Sequence, residues 1–172
     1  MKKIKILIPV YNDWQSVFKL LENINSKVST IDCEFSVIII NDASTESRPE
    51  LLADLRNLKS GEIINMKENR GHARCIAAGL KHINETKDFD YVIPMDGDGQ
   101  DKPEELSLLI EKIRDYPEAV VTADRVKRPE GFTFKFCYST HKLLTFIFTG
   151  QTIKYGNYTC LPKTIVNRMI NE

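Results

Sequence analysis

At 172 residues the chain is long enough to bury one core and too short for two comfortable ones. Its 24 Lys and Arg balance 24 Asp and Glu, and the resulting zero formal charge argues against a general nucleic-acid binder. The balance is uneven, because residues 124–172 carry eight basic against three acidic side chains. Cys33, Cys75, Cys137 and Cys160 are scattered, with no C-x-x-C pair, so neither a disulfide framework nor a structural zinc site is indicated and reduced thiols are expected. The N-terminal apolar run is too short for a signal peptide, and no stretch reaches the length of a membrane span. A soluble, cytoplasmic chain is expected, with contact at the cytoplasmic face of a membrane left open.

The β-branched run 4–10, closed by Tyr11 and Asn12, predicts a first strand. Residues 14–24 then place Trp14, Val17, Phe18, Leu20, Leu21 and Ile24 at helical spacing. A second strand is predicted over 35–40, ending at Asn41 and Asp42, with Ser44 placed to cap a helix over 48–58. A short strand over 63–66 leads through Asn69, Arg70 and Gly71 into a helix over 73–83. Residues 91–95 read as a buried fourth strand. Pro103 opens a helix to about residue 116, with Glu104 and Glu105 at its positive end. Residues 119–123 predict a fifth strand. This alternation implies an α/β, Rossmann-like single domain with a mostly parallel sheet and helices on both faces. After residue 123 the pattern changes: residues 132–148 are aromatic, with Lys135, His141 and Lys142 interspersed. They read as a packed amphipathic helix, or as a helix lying on a membrane surface.

Polar residues follow each strand: Tyr11, Asn12 and Asp13, then Asn41 and Asp42, then Asp96 and Asp98, all directed to one edge of the sheet. The loop Asp96-Gly97-Asp98-Gly99-Gln100 is glycine-rich, and oxygen ligands suit Mg²⁺ or Mn²⁺ shared with a bound phosphate. A solvated acidic turn is the alternative reading of those carboxylates. The first strand is followed by no G-x-G-x-x-G, which disfavours hydride transfer with NAD, and a Walker A loop is absent. A nucleotide site built from acids and a metal remains.

Four motifs in order, Pro9-Val10-Tyr11-Asn12, Asn41-Asp42-Ala43-Ser44, Asn69-Arg70-Gly71 with Ala73, Ala77 and Gly79, and Met95 to Asp101 with Pro103 and Glu104, resemble the GT-A fold glycosyltransferases of family 2. The D-x-D-x-Q-D-x-P form looks like the polyprenyl-phosphate branch, the dolichol-phosphate mannose synthase and bactoprenol glucosyltransferase relatives. The loop of Arg125, Lys127 and Arg128 and the Gly156-Asn157-Tyr158-Thr159 stretch agree with it. Gly97 and Gly99 stand where that branch often has larger residues. Bactoprenol-type relatives usually continue into C-terminal membrane helices, which leaves a trimmed catalytic domain and a soluble cousin both open.

The resemblance implies an inverting, metal-dependent transfer of a sugar from a UDP- or GDP-linked donor to an acceptor, a polyprenyl phosphate in the leading reading. It implies nucleobase contact by Asp42, with Pro9, Tyr11, Asn12, Asn69 and Gly71 shaping the nucleotide pocket. Asp96 would face the ribose and the metal, and Asp98 and Gln100 would ligate Mg²⁺ or Mn²⁺. Asp101 is grouped with the catalytic carboxylates, although an anionic lipid phosphate needs no base. Arg125 and Arg128 would hold the acceptor phosphate. Residues 1–123 would then be the nucleotide-sugar part and 124–172 the acceptor side. Competing expectations are a saccharide hydroxyl acceptor, a phosphatase with Asp96 as nucleophile, and a non-catalytic nucleotide-sugar sensor.

Overall fold

Residues 4–10 are all buried, Lys5 among them, a pattern that suits a strand only at the middle of a sheet covered on both faces. The computed structural model, which describes residues 1–48, 55–123 and 158–171, places that strand, β1 (Lys2–Val10), there. It pairs in parallel with β2 (Cys33–Asn41) on one side and β4 (Tyr91–Pro94) on the other, and β2 pairs in parallel with β3 (Ser60–Asn65). Beyond β4 the sheet turns antiparallel: β6 (Thr159–Pro162) pairs with β4 and with β5 (Val121–Thr122). The order is β3-β2-β1-β4-β6-β5.

The two faces of β1 feed two cores. Ile4, Ile6 and Ile8 pack against α1 (Trp14–Val28) and α3 (Leu106–Asp115) through Val17, Leu21, Ile24 and Leu109. Leu7, with Ile38 and Ile40, packs against α2 (His72–Thr86) and α4 (Lys163–Asn171) through Cys75, Leu80, Ile83 and Val166. The α/β, mostly parallel architecture expected from the alternation is therefore the one observed. Gly79 lets α2 sit close on the sheet, because a Cβ there would stand 2.3 Å from Leu7 Cδ1.

Several boundaries move. Residues 55–58 form a turn, with the Leu58 N–H donating to the Leu55 carbonyl, so the helix expected over 48–58 does not extend through them; residues 49–54 lie outside the described residues. Ser44 caps no helix, because its Oγ accepts from the Asn12 N–H and its own N–H donates to Asn41 Oδ1. The helix opened by Pro103 begins as a 3-10 turn, Pro103–Glu105, before α3. The fifth strand shortens to Val121–Thr122 and runs against β6, which the period-based reading did not contain. The segment 132–148 lies outside the described residues.

Candidate active site

Three loops leave the carboxyl ends of β1, β2 and β4, and hydrogen bonds tie the first two together. Asn12, at φ 54°, accepts at Oδ1 from the N–H groups of Thr45 (2.8 Å) and Glu46 (3.1 Å), and its Nδ2 donates to Thr45 Oγ1. The Asn12 amide thus holds the β2 loop in place. Ala43 next to Asp42 also stands in the left-handed region, at φ 55°, a conformation that costs an alanine about 1–2 kcal/mol. Strain of this kind persists where surrounding bonds over-determine the backbone, and here Asn12, Asn41 and Ser44 supply them.

Asp42 is 4% exposed, and both of its oxygens are engaged. The Arg70 N–H donates to Oδ1 at 2.7 Å, the Gly71 N–H to Oδ2 at 2.8 Å, and the Cys75 thiol adds a further bond. Burial alone would raise the Asp42 carboxyl; these donors outweigh it and hold the group below the ordinary carboxylate value. Asp42 therefore clasps the Asn69-Arg70-Gly71 loop. Gly71 is the N-cap of α2 at φ 83°, a conformation that favours glycine, while Asn69 and Arg70 are exposed, Arg70 pairing with Glu68.

The loop after β4 is braced from beneath. Asp101 is 2% exposed, and its Oδ2 accepts from the Asp96 N–H at 2.8 Å. Asp101, grouped from the sequence with the catalytic carboxylates, thus lies buried beneath the loop and braces it through this bond. Tyr158, fully in the core, donates its hydroxyl to the Lys102 carbonyl at 3.0 Å. Burial, with Glu105 and Asp101 nearby, pushes its phenol far above the ordinary tyrosine value, so it stays a donor. Gly97 sits so tightly that a Cβ would be 2.9 Å from Val17 Cγ2 and 3.2 Å from the Pro9 carbonyl oxygen.

Above these braces lies a cleft of about 360 Å³, lined by Pro9, Tyr11, His72, Asp96, Gly97 and Asp98 among others. Asp98 is exposed and its Oδ1 accepts from the Gln100 N–H at 2.9 Å; Gln100 is exposed as well. Across the cleft His72 Nε2 stands 3.2 Å from Asp96 Oδ1. Sequence reasoning passed over His72, and its place directly after the Asn69-Arg70-Gly71 turn was the available signal. Among the described residues no three His, Cys, Asp or Glu side chains gather as a closed metal cage. The carboxylates that do face the cleft, Asp96 and Asp98, fit a hard divalent cation that takes one or two carboxylates and shares the oxygens of a bound phosphate; the exposed Gln100 lies two residues further along the same loop. Pro9, Tyr11, Asp96 and Asp98 are thus brought to one cleft, Asn12, Asp42, Gly71 and Asp101 take part in the hydrogen bonds that hold the neighbouring loops, Asn69 and Gln100 are exposed outside the cleft lining, and Arg125 and Arg128 lie outside the described residues.

The chain is thus an α/β protein with a strand-end cleft that carries two carboxylates, at the carboxyl edge of the sheet where open α/β folds bind ligands. The model of glycosyl transferase family 2 matches residues 5–170, and the chain belongs to that family. Among curated relatives, the undecaprenyl-phosphate 4-deoxy-4-formamido-L-arabinose transferase of Klebsiella pneumoniae (strain 342) is 26% identical over 178 residues, covering 99% of this chain and 52% of that protein. The chain thus spans about half the length of that relative. Among solved structures, S. aureus TarS 1–349 in complex with UDP superimposes with a TM-score of 0.62 at 18% identity, over 97% of this chain and 48% of that one. The glucosyl-3-phosphoglycerate synthase of Mycobacterium tuberculosis, in complex with Mn²⁺, UDP-glucose and phosphoglyceric acid, gives 0.65 at 11% identity, over 95% and 57%. These likenesses establish the GT-A fold.

Proposed function

We propose that the cleft binds a nucleoside-diphosphate sugar with Mg²⁺ or Mn²⁺ and that the domain transfers the sugar, with inversion, to a polyprenyl phosphate. The observation that carries this reading is the pair Asp96 and Asp98 facing one cleft at the end of β4, on a loop braced by Asp101 and Tyr158. The UDP and UDP-glucose complexes of the structural neighbours support a uridine donor, and the name of the Klebsiella relative supports a polyprenyl-phosphate acceptor.

In this mechanism Tyr11 and Pro9 flank the nucleoside, and Asp42 fixes the wall behind it. Asp96 meets the ribose, while Asp98 and Gln100, with Asp96, would hold the cation. When bound there, a divalent ion neutralises charge on the departing diphosphate. Because a phosphate acceptor is already anionic at neutral pH, no side chain has to remove a proton from it, in keeping with the burial of Asp101. Arg125 and Arg128, outside the described residues, keep their proposed place on the acceptor phosphate.

Calorimetric titration of UDP and GDP with and without Mn²⁺ tests the reading. Asp98→Ala is expected to abolish the metal-dependent part of donor affinity while the thermal midpoint stays near that of the parent, since Asp98 is exposed. A folded variant with unchanged metal-dependent affinity would remove Asp98 from the site.

A further inference from the structure

We propose that His72 is a positioning residue for the donor site: its Nε2–H donates to Asp96 Oδ1 and sets the carboxylate before the ligand arrives. The inference rests on the proposed function only in taking Asp96 to face the donor.

The geometry reaches His72 in steps. The carboxylate of Asp42 pins the amides of Arg70 and Gly71, and Gly71, at φ 83°, turns the chain into α2. His72 is the first residue of that helix, so its backbone is anchored on both sides, by the clasped loop before it and the packed helix after it. Its side chain is 46% exposed and reaches across to Asp96, on a different loop, at 3.2 Å. The backbone of Asp96 is already fixed by Asp101, whose Oδ2 holds its N–H. The His72 imidazole adds to that backbone bond a contact on the carboxylate itself, made from another element. A carboxylate set in advance spares the ligand the ordering cost it would otherwise bear. The same contact joins the wall built on Asp42 to the loop carrying Asp96 and Asp98.

The test compares His72→Ala and His72→Gln with the parent chain by calorimetric titration of UDP, once with Mn²⁺ and once in EDTA, alongside thermal melts. Glutamine is the informative partner, because its amide nitrogen can stand where the imidazole Nε2 stands. His72→Ala is expected to weaken Mn²⁺-supported UDP binding by about 10-fold or more, the loss typical of one hydrogen bond to a carboxylate. The loss should be larger with Mn²⁺ than in EDTA, because Asp96 is placed on both the cation and the ribose; the thermal midpoint should stay near the parent's, and His72→Gln should recover most of the loss. Parent-like Mn²⁺-supported binding in His72→Ala would overturn the proposal, and so would equal losses in the two variants or an equal loss with and without metal. Absence of Mn²⁺-dependent nucleotide binding in the parent itself would instead overturn the proposed function, and the role of His72 with it.

Discussion

Asp42 has a heavier structural duty than its sequence position suggests. Two backbone amides and a thiol converge on it, so Asp42→Ala would strand these part-buried donors and loosen the turn into α2. Leaving such groups unpaired costs about 1–3 kcal/mol, and a fall in stability of that size is expected in urea titration, together with weaker binding of the free nucleoside diphosphate. Because the folded carboxyl lies below its ordinary value, its contribution is complete above that value, about pH 3.9, and is lost as pH falls through the lower folded one. Acid titration of stability should therefore steepen below about pH 4 in the parent, and less so in the variant. The Cys75 thiol under Asp42 is pushed up to about 12 by burial, by its bond to Asp42 and by that residue's charge, and the buried Cys160 reaches about 12 as well. Iodoacetamide at pH 8 followed by mass spectrometry should leave both unmodified in the folded protein and label both in denaturant. Rapid native labelling of Cys75 would contradict the packing described around it. At this scale the sequence showed which residues reach the carboxyl edge but not their backbone bonds: Asn12, Asp42 and Asp101 look alike as polar loop residues, and only the fold shows which amides each of them holds.

Among the elements, α2 shows how local preference yields to packing. Gly79 in its middle sacrifices about 1 kcal/mol of helix propensity relative to alanine, and the close approach to Leu7 and Ile40 explains its presence. In Gly79→Ala the regained propensity competes with a Cβ at 2.3 Å from Leu7 Cδ1 and 3.1 Å from Ile40 Cγ1. Overpacking a tight core costs about 1–3 kcal/mol, so the clash wins and the thermal midpoint should fall by several degrees. A rise in the midpoint would mean that Leu7 has room to turn aside. Strands β1 to β4 and helices α1 to α3 were legible because their apolar periods are long and their ends carry turn residues. The shortened β5 was harder: its two residues are half-buried, and its partner comes from far along the chain.

For the whole molecule, the alternation of strand and helix identified the class, while β6 escaped notice because Thr159-Cys160-Leu161-Pro162 is too short to show a period. Its place between β4 and β5 depends on non-local pairing, which no window of sequence contains. The C-terminal segment is therefore an inner strand of the sheet, and through Tyr158 it also braces the loop that carries Asp96 and Asp98. A ribosome delivers these pieces in an awkward order. With β5 already made, residues 123–158 must still be synthesised before β6 appears, and at about 5–20 residues per second that delay lasts roughly 2–7 s. During it β4 has β1 on one side and an unpaired row of amides and carbonyls on the other. The nascent chain thus displays a bare strand edge next to the half-built site, a template that a neighbouring chain on the same message could pair with before β6 arrives to cover it.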